Sequence, residues 1–236
     1  MYYRQADPYN FRGRGGKQVS YIVIHYDAGT KATARNNVDA FATHKPGTSA
    51  HYFVDENEVA QSVPESMSAQ HCGGRKYNNG SPAPFHLKCM NANSIGIELC
   101  SRKNEWGEYY IPVATQNRAA VLVAELMKRY HVDMKHLVRH YDVTGKHCPE
   151  PFVRETRQWE DFKDLVEKYL DPVEEEKEVK EEMVYYEKIG DIPDDVRREV
   201  VQDLVTNGVI KGTDTGLHLS EDMVRILAYL RRAKVV

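Results

Sequence analysis

Apolar positions along the chain follow two rhythms. Residues 19–26, VSYIVIHY, form an unbroken and largely β-branched run, which predicts a central strand buried on both faces. In SIGIELC, residues 94–100, Ile95, Ile97 and Leu99 share one face and Ser94, Gly96 and Glu98 the other, as a second strand requires. HYFVDENEVAQSV, residues 51–63, reads as two short strands around a turn at Glu56–Asn57, and HLVRH, residues 136–140, as one more. The other rhythm is helical. Residues 33–44 predict a helix; TQNRAAVLVAELMKRY, residues 115–130, predicts a strong amphipathic one with Thr115 as N-cap; residues 154–169 predict a last helix carrying Trp159, Phe162 and Leu165. Residues 64–92, rich in Gly, Pro, Ser and Asn, are expected to be loop. Strands and helices interleave, so the expected class is α/β, a mixed central β-sheet flanked by helices.

The pattern breaks at residues 171–183, DPVEEEKEVKEEM, which has almost nothing apolar to bury and reads as a charged linker. It divides a domain at 1–170 from a small, mainly helical unit at 184–236. That unit is expected to hold the helix VRREVVQDLVTNG, stopped at Gly208, then a turn and the helix SEDMVRILAYLRR with Ser220 as N-cap. About 50 residues is marginal for folding alone. The unit therefore leans either on the first domain or on another copy of itself, which would make the chain a homo-oligomer.

Composition narrows the function classes. Apolar residues make up 41% of the 236 and charged residues 28%, a soluble globular balance. No apolar run reaches the roughly 20 residues of a membrane helix, so membrane insertion is not expected. The first residues, MYYRQADPYNFRGRGGKQ, have no apolar stretch of the signal-peptide kind, which predicts synthesis in the cytoplasm without a signal peptide. Residues 1–170 carry 22 Lys+Arg against 19 Asp+Glu, and residues 171–236 carry 10 against 16. The larger part is mildly basic, suited to an anionic polymer but without the clustered charge of a nucleic-acid binder. The four cysteines, Cys72, Cys89, Cys100 and Cys148, are by default free thiols or metal ligands in a reducing compartment. A Cys72–Cys89 bridge is the alternative outside the cell.

Three features could carry chemistry. His25 ends the first strand, and strand ends are where open α/β sheets place ligands. His140 and Cys148 flank a loop, RHYDVTGKHCPEP, able to curl so that both side chains face one point. Two imidazoles and a thiolate make a three-ligand zinc site with an open fourth position, the catalytic arrangement. Glu98, half-buried on its strand, could take a proton, and Lys146 could hold an oxyanion. On residue types alone, a set of ordinary structural histidines explains the same pattern.

The motifs YIVIHYD, TSAHYFVDENEVAQSVPE, AQHCGG, NANSIGIELC and LVRHYDVTGKHCPEPF occur in an order that resembles the type 2 N-acetylmuramoyl-L-alanine amidases. That family includes phage endolysins, autolysins and the peptidoglycan recognition proteins, and the resemblance covers roughly residues 19–170. It implies a Zn2+ enzyme that cuts peptidoglycan between N-acetylmuramic acid and L-alanine, with metal ligands His25, His140 and Cys148 and catalytic Glu98 and Lys146. It also implies substrate contacts at His51, Tyr52 and His71; the alternatives are that Tyr52 packs inward with His51 on the cleft floor, and that His71 scaffolds its loop. With no signal peptide, the expectation is a phage or prophage endolysin that acts on the cell wall after release. A zinc peptidase of the stem peptide is the enzymatic rival, and a wall-binding module the non-enzymatic one. Residues 189–233 more loosely resemble a single S-layer-homology-like repeat, which implies wall binding. A helical cap or a dimerisation unit is the alternative there.

Overall fold

The structure is a computed structural model that describes residues 1–73, 84–170, 185–211, 217, 219–220, 223–224 and 227. The chain divides into two compact units, Met1–Asp171 and Pro172–Val236. The expected linker at 171–183 lies outside the described residues. No helix among the described residues is long and apolar enough to cross a membrane.

The first unit is built on six strands: β1 (Tyr2–Tyr3), β3 (Tyr21–Tyr26), β4 (Tyr52–Val54), β5 (Val59–Gln61), β7 (Ser94–Leu99) and β10 (Leu137–Arg139). Their order across the sheet is β1-β5-β4-β7-β3-β10. β4, β7, β3 and β10 run parallel, and β5 is antiparallel to β4. This is the mixed sheet expected from the interleaved pattern. Two further pairs lie outside it: β2 (Phe11–Gly13) with β6 (Met67–Ala69), and β8 (Arg102–Lys103) with β9 (Tyr109–Tyr110). β6 falls inside the stretch expected to be loop. Strands of two or three residues are too short for alternation to declare them.

The alternation along β7 sorts the two sheet faces. Ile95, Ile97 and Leu99 join Ile22 and Ile24 of β3 in the main core. Above that face pack α2 (Val113–Tyr130) and α5 (Thr156–Leu170), with Leu126, Met127, Trp159 and Phe162 buried. Phe152 of the short helix α4 (Glu150–Arg154) forms a ring cluster with Trp159 and Phe162, centroids 5.4–5.9 Å apart. Each such side chain contributes about 1.5–3 kcal/mol on burial. The opposite face carries α1 (Ala34–Thr43), whose Val38 packs with Phe53 of β4. α1 starts where Thr33 and Asn36 satisfy each other's backbone N–H groups, a capping box. Thr115 is not the N-cap of α2. The helix begins two residues earlier, after Pro112, and leaves the Thr115 hydroxyl buried inside the first turn.

In the second unit, α6 (Asp195–Thr206) is capped by Asp194, whose side chain accepts the Arg197 N–H, and it is followed by Gly208 at φ 71°. A short antiparallel pair joins β11 (Tyr185–Tyr186) to β12 (Leu219–Ser220). Tyr186, Ile192, Val201, Leu219 and Val224 form its core. Of the expected second helix only Met223, Val224 and Leu227 are described beyond Ser220, and they are helical. The Ser220 hydroxyl accepts the Met223 N–H at 3.2 Å, as an N-cap would.

Candidate metal centre

Strand register brings the first members of the site together. In the β3–β7 ladder His25 is the direct partner of Glu98, and in the β3–β10 ladder Ile24 is the partner of Arg139. The next residues, His25 and His140, therefore stand side by side where the parallel strands end. Their ring centroids are 4.6 Å apart. His140 is the first residue of α3 (His140–Thr144) rather than the last of the strand. Gly145, at φ 71°, ends that helix in a left-handed conformation that glycine adopts without steric cost. The chain then turns back: the Tyr141 N–H donates to the Cys148 carbonyl at 2.9 Å, and the Cys148 N–H to the Lys146 carbonyl at 2.7 Å. This fold-back sets the Cys148 Sγ 3.7 Å from His25 Nδ1.

His25, His140 and Cys148 are all buried, and each offers one donor atom within 4.8 Å of the others. Two ligands on a tetrahedral zinc, one nitrogen and one sulfur, lie about 3.6 Å apart when built from ordinary Zn–N and Zn–S lengths, close to the 3.7 Å seen here. His140 Nδ1 is buried with no hydrogen-bond partner, a costly state that a metal would relieve. Burial lowers the His25 pKa well below the ordinary histidine range, and the neighbouring His140, His71 and Lys146 act in the same direction. Burial likewise pushes His140 down to about 3, with Lys146 and His71 adding to it. Both rings are therefore neutral, the form that ligates. Burial and the Glu98 charge push the Cys148 thiol up to about 12. It would bind as thiolate only if the metal displaced its proton. The donor set fits a borderline-soft dication.

The three residues wall a cavity of about 160 Å³ that also meets Glu98, Lys146 and His71. Glu98 is half-buried, but its Oε2 is sealed from solvent and without a partner. Burial, then Asp27, push its carboxyl up to about 8 against the pull of Lys146. A carboxylate so placed can exchange a proton near neutral pH. Asp27 itself is fully engaged, accepting from the Gly29 and Ser101 N–H groups, the Ser101 hydroxyl and Asn37. Lys146 is exposed, and its charge acts on His25, His140, Glu98 and Cys148 alike. The structure thus brings the five expected chemical residues to one cavity.

Two of the three expected substrate contacts are not placed to make one. Tyr52 projects from the opposite face of the sheet into the main core, where its hydroxyl donates to Glu65. His51 is wholly buried; its Nδ1 accepts the Gly96 N–H, and its Nε2 lies 3.1 Å from the Met67 carbonyl and 3.0 Å from the Arg14 guanidinium. The sequence shows His-Tyr on a strand but not which neighbours close over it. His71 does line the cavity. So does Tyr26, which the sequence did not single out and whose phenol burial pushes up to about 12. Ser94 was not singled out either, although it shares the Glu98 face of β7. His147 is exposed, its ring edge-on to Tyr141. All four cysteines are free, with the sulfurs of Cys72 and Cys89 4.0 Å apart.

Residues 15–151 match the N-acetylmuramoyl-L-alanine amidase family. Among curated relatives, the N-acetylmuramoyl-L-alanine amidase CwlL of Bacillus licheniformis is 38% identical over 157 residues, covering 64% of this chain and 42% of that protein. The chain thus spans less than half the length of that relative. The solved structure of PlyL is 25% identical with a TM-score of 0.55, covering 70% of this chain and 96% of PlyL. A mutant endolysin from Bacillus subtilis is 25% identical with a TM-score of 0.54, covering 70% of this chain and 97% of that structure.

Proposed function

Given that the chain belongs to the N-acetylmuramoyl-L-alanine amidase family, we propose that it hydrolyses the amide between N-acetylmuramic acid and L-alanine in bacterial peptidoglycan, with zinc held by His25, His140 and Cys148. The observation that carries this reading is a pair of sealed polar atoms at one cavity: His140 Nδ1 and Glu98 Oε2, both partnerless. One is placed to ligate a metal, the other to take a proton.

Zinc held by these three residues would supply Lewis acidity toward a carbonyl and a water. Glu98 takes the proton of that water at Oε2 and delivers it to the departing amide nitrogen, a task its raised pKa suits. Lys146 reaches in from the exposed side and donates a hydrogen bond to the developing oxyanion. Neutral His25 and His140 keep the site from opposing a bound cation. The mildly basic 1–170 segment suits an anionic wall polymer. The likeness to a Bacillus subtilis endolysin supports a bacteriolytic role.

Purified wall digested by the protein tests this directly. Mass spectrometry should find free lactyl groups on muramic acid and new L-alanine N-termini, from protein carrying one zinc per chain. New N-termini further along the stem would make it a peptidase instead, and wall retention with no released product a binding module.

A further inference from the structure

His71 stands outside the ligand set, yet it is held as firmly as any member. Asn91 Oδ1 accepts the backbone N–H groups of His71, Cys72 and Gly73 at 3.0, 2.8 and 2.7 Å, which fixes the loop that carries it. Its ring lies flat against Gly96: a Cβ at that position would meet the ring's Cγ at 2.6 Å and Nδ1 at 2.7 Å. Gly96 sits between Ser94 and Glu98 on the cavity side of β7, so the missing side chain is the slot the ring fills. From that slot His71 Nδ1 reaches His25 Nε2 at 3.0 Å, and His71 Nε2 reaches Ser94 Oγ at 3.0 Å. Ser94 Oγ in turn lies 2.7 Å from the Met90 carbonyl.

The protons in this chain are forced from its far end. A carbonyl only accepts, so the Ser94 hydroxyl spends its one proton on Met90. Ser94 Oγ must then accept from His71 Nε2–H. With the His71 proton on Nε2, its Nδ1 is left to accept from His25 Nε2–H. His25 is left with its lone pair on Nδ1, the atom 3.7 Å from the Cys148 sulfur. The ring opposite the Met90 carbonyl end of the relay is thereby both oriented and set in one tautomer.

We infer that His71 is a positioning residue: through the relay Met90–Ser94–His71 it holds His25 in the Nε2–H tautomer, with Nδ1 presented to the metal. The inference rests on the zinc site proposed above. A partner that orients a ligating histidine in this way is typically worth 10–100-fold in metal affinity.

The test uses the full chain, with zinc affinity measured by competition against a chromophoric chelator and the His25 tautomer read from ring 15N shifts of the metal-free protein. Wild type should show His25 protonated at Nε2. His71→Ala should bind zinc about 10–100-fold more weakly and give His25 a mixed tautomer signal. His71→Asn, whose Oδ1 can stand where Nδ1 stood, should recover most of the affinity. Zinc binding by His71→Ala as tight as wild type overturns the relay, as does wild-type His25 protonated at Nδ1, which needs no variant to fold. A wild type that takes up no zinc is a separate outcome: it overturns the zinc reading, and the role of His71 with it.

Discussion

Gly96→Ala adds one methyl group where the structure has no room for it. The new Cβ would sit 2.6, 2.7 and 2.9 Å from three atoms of the His71 ring, against an ordinary carbon contact of about 3.5 Å or more. The ring must recede by about 0.9 Å. Its 3.0 Å bond to His25 then stretches to as much as about 3.9 Å, beyond hydrogen-bond range. The backbone itself does not resist the change, since Gly96 is an ordinary strand residue whose φ is not positive. Elsewhere in a strand the substitution would be neutral or stabilising by about 0.4–1 kcal/mol. Here it should cost about 1–3 kcal/mol of overpacking and lower zinc affinity about 10–100-fold, or about 1.4–2.7 kcal/mol. Thermal unfolding of the metal-free protein reads the first and chelator competition the second. The decisive comparison is a double-mutant cycle with His71→Ala. With the ring gone the methyl group fits, so Gly96→Ala should cost almost nothing further in zinc affinity. An equal loss in both backgrounds would refute the reasoning, because the clash would then not be with His71.

Other changes separate metal binding from proton transfer. Glu98→Gln should keep the zinc and lower turnover about 10²–10⁴-fold, and Lys146→Ala should also lower turnover at unchanged metal content. Cys148→Ala should lose both, so full lysis by Glu98→Gln, or zinc lost from Lys146→Ala, assigns those roles wrongly. A third prediction concerns acid stability. Burial alone would raise the Glu65 carboxyl, but hydrogen bonds from Tyr130, Tyr52 and Arg129 outweigh it and hold the group below its ordinary range. Its contribution is present above the unfolded carboxylate pKa of about 4.3 and is lost as pH falls through the lower folded value. Glu65→Gln should therefore destabilise by about 1–3 kcal/mol at pH 7 and flatten the loss of stability in acid; urea melts across that range that still match wild type would exclude the network. Finally, a chain ending at Leu170 should hydrolyse wall yet co-sediment with it less than the full chain, if the C-terminal unit targets the wall. Equal sedimentation would remove that role.

Long periodic elements were legible from residue order. The β3 strand follows from its unbroken β-branched run, and the face-sorting of β7 and the helices α1, α2 and α5 from periods of two or 3.6. Helix starts were less secure. Thr115 has the chemistry of an N-cap, but the cap position falls at Pro112, three residues earlier. Strands such as β2 and β6 were invisible because each exists only through its partner.

The same division runs through the site. Sequence by itself determined the chemical inventory: two imidazoles, a thiol, a carboxylate and an ammonium, each on a segment whose local structure could present it. Only the tertiary structure decided who meets whom. Parallel register sets His25 between Glu98 and His140, a fold-back after Gly145 returns Cys148 to them, and the absent side chain of Gly96 admits His71. Contacts of this kind join residues dozens of positions apart, and no local pattern encodes them. Tyr52 shows the converse. It adjoins His51 in the chain, but extended backbone alternates its side chains, so the next residue points through the sheet into the main core.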